Sequence, residues 1–313
     1  MADLPTISVI LPTQNRPLFL AEALRSVLAQ HLRPDQIVVV DDGGAGEAKR
    51  IVDLVGAPHS VATAVIEGPG RGPGAARNAG LRMAEGELVA FLDDDDLWHP
   101  EKLARQARWF ALRPSLGVLG TEHVASGVAR RTGLIQGIEQ DPMPRLTLGR
   151  LRRIPLGAMV RANRLVMSSV MVRRDCIEEC GGFEESLPLA QDWDLWLRLA
   201  QRTGVAVLAE PLVSYRRHGD QRSAEVMAMR SWEGEVLRRA LARGLPANLQ
   251  GVARRRLAWS HVRLGRVLAR AGETELAREE FGEAMALWRC NPAAWAGVMR
   301  CALGKGTLAR ART

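Results

Sequence analysis

The sequence LVAFLDDDD occupies residues 88–96, so that five apolar residues run directly into four consecutive aspartates. The apolar part predicts a buried β-strand. Four carboxylates at one strand end repel one another, and they favour the folded state only where a cation binds them. Carboxylate oxygens suit Mg²⁺ or Mn²⁺, and such ions commonly bridge to phosphate oxygens. A solvated acidic turn is the alternative, and the surrounding sequence argues against it.

The first half of the chain alternates predicted strands and helices. Apolar runs predict strands at residues 7–11, 37–40, 61–66 and 88–92. Pro17 begins one predicted helix, and residues 75–84 form another. This order indicates βαβ units and a mostly parallel sheet, in which ligands bind at the carboxyl ends of the strands. Asp41 and Asp42 also follow a predicted strand, so two acidic clusters are expected at one edge of the sheet.

After residue 120 the alternation of strand and helix signals is weaker, and the last third of the chain is predicted to be helical. Residues 121–157 are rich in Gly, Pro and Arg and predict an irregular connection. Further predictions are a strand at 165–172, a helix at 190–201 and a short strand at 205–208. From about residue 224 the chain is helical and Arg-rich, which predicts an α/β domain over residues 1–223 and an all-α domain over residues 224–313. Small and large residues of this second domain are spaced as in tetratricopeptide repeats, although a plain helical hairpin fits equally well.

Composition limits the classes of partner and compartment. The 313 residues are 47% hydrophobic and 25% charged, as in an ordinary soluble globular protein. The net charge is +8, yet aromatic residues make up only 4% and no basic run is interleaved with them, which argues against nucleic acid. We expect a solvated basic surface with at most peripheral membrane contact. The four cysteines lack zinc-site spacing, and no apolar run is long enough to span a bilayer. A strand begins by residue 7, which argues against a signal peptide. A cytoplasmic location is therefore expected.

Several segments carry candidate chemistry, each with a structural alternative. The Gly/Pro-rich segment 68–74 precedes a helix, whose N-terminus is a natural anion site, although the segment is not a P-loop. Asp42 either hydrogen-bonds a base or ribose or has a structural role as a helix N-cap or turn residue. Asp192 opens a predicted helix beside two tryptophans and is either a helix cap or a general base at a pocket rim. His218 ends a predicted strand and is a structural residue or a ligand of metal or phosphate.

Six segments carry a family resemblance when they are taken together and in order. They are SVILPTQNR at 8–16, VVDDG at 39–43, GAARNAG at 74–80, FLDDDD at 91–96, QDW at 191–193 and YRRH at 215–218. In this order they resemble the family 2 glycosyltransferases, which have the GT-A nucleotide-sugar fold. The resemblance covers roughly residues 5–223 and leaves the C-terminal third outside.

The resemblance implies the residues that bind the sugar donor. Asp42 would bind the nucleotide base, in a pocket lined by Pro12, Gln14 and Arg77, and Arg16 would also lie at the donor site. The family usually has Tyr at the position of Gln14.

The resemblance also implies the residues of metal binding and catalysis. Asp93 or Asp94 would lie near the ribose, and Asp94 and Asp95 would occupy the family's D-x-D site. Asp95 would ligate Mn²⁺ or Mg²⁺, and His218 would help hold the metal or the diphosphate. Asp192 would be the general base of an inverting transfer.

Two further departures from the family's pattern concern the general base and the number of sugars transferred. Gln191 stands where the family commonly has Glu, so Asp192 lacks a neighbouring charge and its pKa should be raised less. The Q-x-x-R-W motif of processive synthases is absent, as are transmembrane segments, which indicates a single sugar transfer.

Other classes of function remain open. A sugar nucleotidyltransferase also uses a nucleotide-binding α/β sheet, but it has a Gly-rich segment after the first strand, where this chain has PTQNR. A degenerate transferase that binds a partner through its helices is the second alternative. The acceptor is a glycan, a lipid-linked molecule or a peptide, and the C-terminal helices either contact it or form a homodimer.

Overall fold

A computed structural model describes residues 4–44, 46–56, 60–127, 149–217 and 226–310. Within these ranges nine strands form one sheet. Their bounds are β1 Ile7–Thr13, β2 Gln36–Asp41, β3 Ala62–Glu67, β4 Leu88–Phe91, β5 Leu97–Trp98, β6 Leu116–Gly127, β7 Leu151–Arg153, β8 Met171–Arg173 and β9 Gly204–Arg217.

The sheet is built around a parallel core. Its strand order is β3-β2-β1-β4-β8-β6-β9-β5, with β7 also paired to β9. The registers make β1, β2, β3, β4, β6 and β9 point in one direction, whereas β5, β7 and β8 run antiparallel to their neighbours. The α/β fold with a mostly parallel sheet expected from the sequence is confirmed, and β8 makes the sheet mixed by separating β4 from β6.

Eleven helices occur in the described ranges. They are α1 Pro17–Leu28, α2 Glu47–Val55, α3 Pro73–Met83, α4 Lys102–Leu112, α5 Leu156–Arg161, α6 Arg174–Glu179, α7 Gln191–Leu199, α8 Val226–Ala242, α9 Ala247–Arg270, α10 Thr274–Leu287 and α11 Pro292–Arg310. Proline begins α1 and α3, where its fixed φ suits the first helical turn and no amide partner is lost. Helix α1 buries Leu20, Leu24 and Val27 on one face, as the 3.6-residue spacing predicts.

The buried strands β1, β2 and β4 explain why the N-terminal half is readable from sequence. Helices flank the sheet, so these strands are buried on both faces and consist largely of Val, Ile and Leu. Their side chains join those of α1 and α4 in one core, which contains Leu24 and Phe110.

Three predicted elements differ from the structure. The segment predicted as a strand at 165–172 contains a 3₁₀ helix, Met167–Ser169, before β8. The Ser169 hydroxyl donates to the carbonyl of Val166 at 2.7 Å, and such local bonds compete with strand pairing. Strand β6 continues to Gly127 through a stretch predicted to be irregular. Strand β9 is far longer than predicted, because a register shift against β6 accommodates its Pro211.

The chain divides into two compact units. One comprises Met1–Leu156 and Asn163–Gln221, and the other comprises Gly157–Ala162 and Arg222–Thr313. The short segment 157–162, most of α5, therefore groups with the C-terminal helices, which the sequence did not indicate.

The second unit has its own core between α9, α10 and α11. Phe281 is 2% exposed at its centre, among Ala258, Val262 and Ala294. A Cβ atom at Gly297 would lie 2.6 Å from the Phe281 ring, so α11 approaches α10 more closely there than another residue would allow. The described helices include none with the length and apolar character needed to span a bilayer.

Candidate active site

The carboxyl ends of β1, β2 and β4 meet at one edge of the sheet. Thr13 at the end of β1 is paired with Asp41 at the end of β2, and the amide of Asp42 donates to the Thr13 carbonyl at 2.8 Å. The amide of Leu92 donates to the carbonyl of Ile10 at 3.1 Å. The register therefore carries the two acidic segments to the same edge, as expected for a parallel α/β sheet.

Asp94 is held in a buried pocket beside β1. It is 6% exposed, and the Thr13 hydroxyl donates to its Oδ2 at 2.8 Å. Arg16 Nη1 lies 3.4 Å from Asp94 Oδ1 and 3.1 Å from Asp95 Oδ2. Burial raises the pKa of Asp94 to about 6, although the Thr13 hydrogen bond opposes the rise. Asp94 thus interacts with the first strand and with Arg16.

Asp93, Asp95 and Asp96 form a group of a different kind. One carboxylate oxygen from each lies within 4.8 Å of the others, and Asp94 is outside this group among the described residues. Asp93 and Asp95 are partly exposed, whereas Asp96 is fully buried. This all-carboxylate donor set fits a hard divalent cation, since two of its members are accessible.

Asp96 connects the group to the protein interior. Its Oδ2 accepts from the Ser168 hydroxyl at 2.6 Å, and its Oδ1 accepts from the Arg216 amide at 3.1 Å. The Ser168 Oγ also accepts from the Asp93 amide at 3.1 Å, so one hydroxyl joins both ends of the acidic turn. Burial, followed by the charges of Asp93 and Asp95, raises the pKa of Asp96 well above its usual value. A bound cation would relieve that repulsion.

Arg77 projects from α3 into the same region. It is 4% exposed, and its Nη2 donates to Asp93 Oδ1 in an ion pair. Its Nε and Nη1 are buried without a hydrogen-bond partner in the described part of the chain. Buried donors of a charged group are costly to leave unpaired, which favours binding of an anionic or carbonyl oxygen here.

Asp42 ties the glycine-rich segment to the end of β2. The amide of Gly70 donates to Asp42 Oδ1 at 2.8 Å, and Gly70 has φ = +65°. A Cβ atom at Gly68 would lie 2.6 Å from the same oxygen, so glycine is needed there. Asp42 is therefore bound to a loop distant in sequence and does not cap a helix.

Asp192 lies in the first turn of α7, near Asp93 and Arg77. Its Oδ2 accepts from Asn163 Nδ2 at 2.8 Å, and its Oδ1 accepts from the amide of Trp193 at 2.7 Å. Desolvation raises the pKa of Asp192; the Arg77 guanidinium opposes the rise and the charge of Asp93 adds to it. A partly buried carboxylate with a raised pKa is suited to accept a proton.

The structure corrects two interpretations of this helix. Trp193 and Trp196 are 1% and 0% exposed, so they belong to the core and do not line a pocket rim. The N-cap residue of α7 is Ala190, with φ = +58°, so Asp192 is not the helix cap.

Two other predicted residues, Pro12 and Gln14, occupy less enclosed positions. Pro12 is partly buried in β1, and Gln14 is exposed just after it. His218 lies outside the described residues.

Sequence reasoning missed Ser168, Thr13, Asn163 and Arg216 as partners of the aspartates. Thr13 and Arg216 lie inside the quoted segments, next to residues that were singled out. Ser168 and Asn163 had no sequence signal, because their partners are 72 and 29 residues away.

A model of glycosyl transferase family 2 matches residues 8–173, which contain both acidic segments and Arg77. The chain belongs to the family 2 glycosyltransferases. Among curated relatives of this glycosyltransferase, an uncharacterized glycosyltransferase of Nostoc sp. is 38% identical over 36% of this chain and 35% of its own length. The succinoglycan biosynthesis protein ExoO of Rhizobium meliloti is 28% identical over 68% of this chain and 61% of its own length. The chain spans about a third of the length of the first curated relatives it matches.

Solved structures share the fold of this glycosyltransferase. S. aureus TarS 1-349 in complex with UDP-GlcNAc has a TM-score of 0.66 and 22% identity, covering 90% of this chain and 81% of that one. Mannosyltransferase PcManGT from Pyrobaculum calidifontis in complex with GDP-Man and Mn²⁺ has a TM-score of 0.61 and 21% identity, covering 96% and 81%. At these identities the likeness shows the fold alone.

Proposed function

We propose that the chain transfers one sugar from a nucleoside-diphosphate donor to an acceptor nucleophile, with inversion at the anomeric carbon and with a divalent metal. The observation that carries the proposal is the arrangement of Asp192, Arg77 and Asp93 at the carboxyl edge of the sheet. There a carboxylate with a raised pKa lies close to a buried guanidinium and to an acidic group suited to a cation. The two neighbours described with UDP-GlcNAc and GDP-Man support a nucleotide-sugar donor.

Donor binding is assigned to the ends of β1 and β2 and to α3. The second carboxylate oxygen of Asp42, Oδ2, would accept hydrogen bonds from the base, between Pro12 and Gln14 on one side and the 68–74 segment on the other. Arg77 has two buried donors without partners, which would bind oxygen atoms of the nucleotide. Arg16 lies between Asp94 and Asp95 and would turn to the donor when a cation takes its place at Asp95.

Metal binding is assigned to Asp95, with Asp93 and Asp96 completing the carboxylate group and His218 as a further candidate from the sequence. When bound, Mn²⁺ or Mg²⁺ would neutralise the leaving diphosphate as a Lewis acid. Ser168 would fix the conformation of the acidic turn, and Asp94 would lie near the ribose of the nucleotide.

Asp192 is proposed as the general base. It would take the proton of the acceptor while the acceptor atom forms a bond to the anomeric carbon and the bond to the diphosphate breaks on the opposite face. Asn163 and the Trp193 amide hold both carboxylate oxygens in place. The acceptor is proposed to be a glycan, since ExoO is named for succinoglycan biosynthesis; lipid-linked and peptide acceptors are the other candidates.

The experiment has two parts. Thermal stability is measured against UDP, GDP, dTDP and CDP, each with and without Mn²⁺, because a ligand that binds only the folded state raises the melting temperature. A metal-dependent shift for one nucleotide supports the donor class and the metal together. No shift with any nucleotide in a folded sample favours the degenerate, partner-binding alternative.

The second part tests the base with a matched pair of variants. Asp192→Asn should lower donor turnover by about 10²- to 10⁴-fold and leave the nucleotide-dependent melting shift nearly unchanged. Asp175→Asn is the control, because Asp175 also accepts from the amide of the following residue, at 2.6 Å, but is exposed on α6. Wild-type turnover in Asp192→Asn would remove Asp192 as the base.

A further inference from the structure

The positive charge of the chain is concentrated in the C-terminal helical unit. Gly157–Ala162 and Arg222–Thr313 contain 18 Lys and Arg against 8 Asp and Glu, a net charge of +10. The remaining residues contain 25 against 27, a net charge of −2. The excess charge therefore belongs to the helices and not to the sheet that carries the aspartates.

Part of this charge surrounds a groove in the helical unit. The arginine groove has a volume of about 390 Å³ and is lined by Arg266 and Arg270 of α9, Phe281 of α10, and Ala293, Gly297 and Arg300 of α11. Ala293, Ala296 and Gly297 form an apolar floor above the buried Phe281, and the three arginine side chains line its edges. A cavity of this size accepts one or two side chains of a ligand.

The three arginines have no neutralising partner among the described residues. All three are exposed, and none forms an ion pair or a hydrogen bond within the described part of the chain. Arg266 and Arg270 are also four residues apart on one helix, where like charges repel. Other arginines of the unit behave differently, since Arg238 and Arg239 pair with Glu235.

No ion pair among the described residues joins an acidic side chain to these three arginines, and two glutamates of the unit have other partners. Glu280 of α10 lies 2.7 Å from the His261 ring, and Glu233 pairs with Arg256 at 3.2 Å. An anionic ligand in the groove would remove the repulsion between the arginines while burying the partly exposed Ala293 and Gly297 and the exposed Ala296.

We propose that the arginine groove binds an acidic polypeptide segment, with carboxylates on the arginines and an apolar side chain on the floor formed by Ala293, Ala296 and Gly297. The concave shape and the small volume favour a chain segment over a flat anionic membrane. The binding needs no nucleotide and no metal, so it is independent of the proposed transfer activity.

The probe is a fluorescently labelled twelve-residue peptide built from Glu and Leu, with a Lys-and-Leu peptide of equal length as the control ligand. The fluorescence anisotropy of each labelled peptide is measured while the full chain is added, at two salt concentrations. Only the acidic peptide should bind, and higher salt should weaken its binding. Sedimentation with vesicles of phosphatidylcholine and phosphatidylglycerol is the parallel measurement. Absence of peptide binding, or binding to vesicles alone, overturns the proposal.

The first variant places glutamate at the three groove positions: Arg266→Glu, Arg270→Glu and Arg300→Glu. It should weaken peptide binding by at least tenfold. If this variant does not fold by circular dichroism, the corresponding three Arg→Gln changes are used, with at least a threefold loss expected.

The matched control changes the same net charge outside the groove, by Arg254→Glu, Arg255→Glu and Arg278→Glu. These arginines are exposed, lie on α9 and α10, and have no partner in the described part of the chain. The control should lose less than threefold. Equal losses of peptide binding in both triple variants would show a general effect of net charge and would overturn the proposal that the peptide binds in the groove.

Discussion

Removing the Ser168 hydroxyl should destabilise the acidic turn at residues 93–96, because this hydroxyl hydrogen-bonds both ends of the turn. Ser168 donates to Asp96 at 2.6 Å and accepts from the Asp93 amide at 3.1 Å, and it is fully buried. Ser168→Ala deletes a hydrogen bond to a carboxylate, worth about 1.5–3 kcal/mol, and leaves the Asp93 amide without its acceptor. We expect the free energy of unfolding of the sheet-containing unit to fall by about 2–4 kcal/mol.

The neighbouring Ser169 provides a matched control in the same 3₁₀ helix. Ser169 is equally buried, but its hydroxyl makes one neutral hydrogen bond, to the Val166 carbonyl. Ser169→Ala should therefore cost only about 1 kcal/mol.

Two measurements distinguish a role at the site from a general loss of stability. Urea unfolding gives the free energies of both variants, and titration with Mn²⁺ in the presence of the preferred nucleotide gives the metal concentration for half-maximal thermal shift. We expect Ser168→Ala to need at least tenfold more Mn²⁺ and Ser169→Ala to match the wild type. Equal destabilisation with unchanged Mn²⁺ dependence in both variants would refute the reasoning.

Three further predictions test the metal, a buried amine and the helical core. Asp95→Ala should abolish the Mn²⁺ dependence of the nucleotide-induced melting shift, whereas Asp53→Ala, at an exposed carboxylate on α2, should retain it. Burial holds the pKa of Lys102 well below its usual value, so the unfolded chain binds a proton that the folded chain lacks. The free energy of unfolding should therefore rise from pH 7 towards pH 10. Lys102→Met should flatten this rise, as measured by urea titrations at several pH values. Phe281→Ala should destabilise the helical unit by about 3–5 kcal/mol in thermal unfolding, and Leu276→Ala, 48% exposed on the same helix, should change it by less than about 0.5 kcal/mol.

The parallel core of the sheet was predictable because its strands are buried on both faces. A strand such as β2 must then be apolar at every position, and this is visible in one sequence. The carboxyl ends of parallel strands lie at one edge, so the position of Asp42 and the 93–96 segment at the same edge also follows from the order of elements.

The second half of the sheet was less predictable. Strand β9 contains Glu210 and Pro211, which argue against a strand, and only its register shift against β6 makes room for them. The burial of Trp193 and Trp196 likewise depends on what packs around α7, and the spacing of tryptophans on a helix does not distinguish a core face from a pocket rim.

The sequence by itself determined the fold class, the family and the segments that carry the site, because apolar periodicity and short motifs are local properties of the chain. Only the tertiary structure decided which aspartate does what. Four adjacent carboxylates are chemically identical in sequence, yet Asp94 turns to Thr13, Asp96 is buried against Ser168, and Asp93 pairs with Arg77. These partners lie 16 to 81 residues away, so their distances and the resulting pKa shifts exist only once the sheet has brought the segments together.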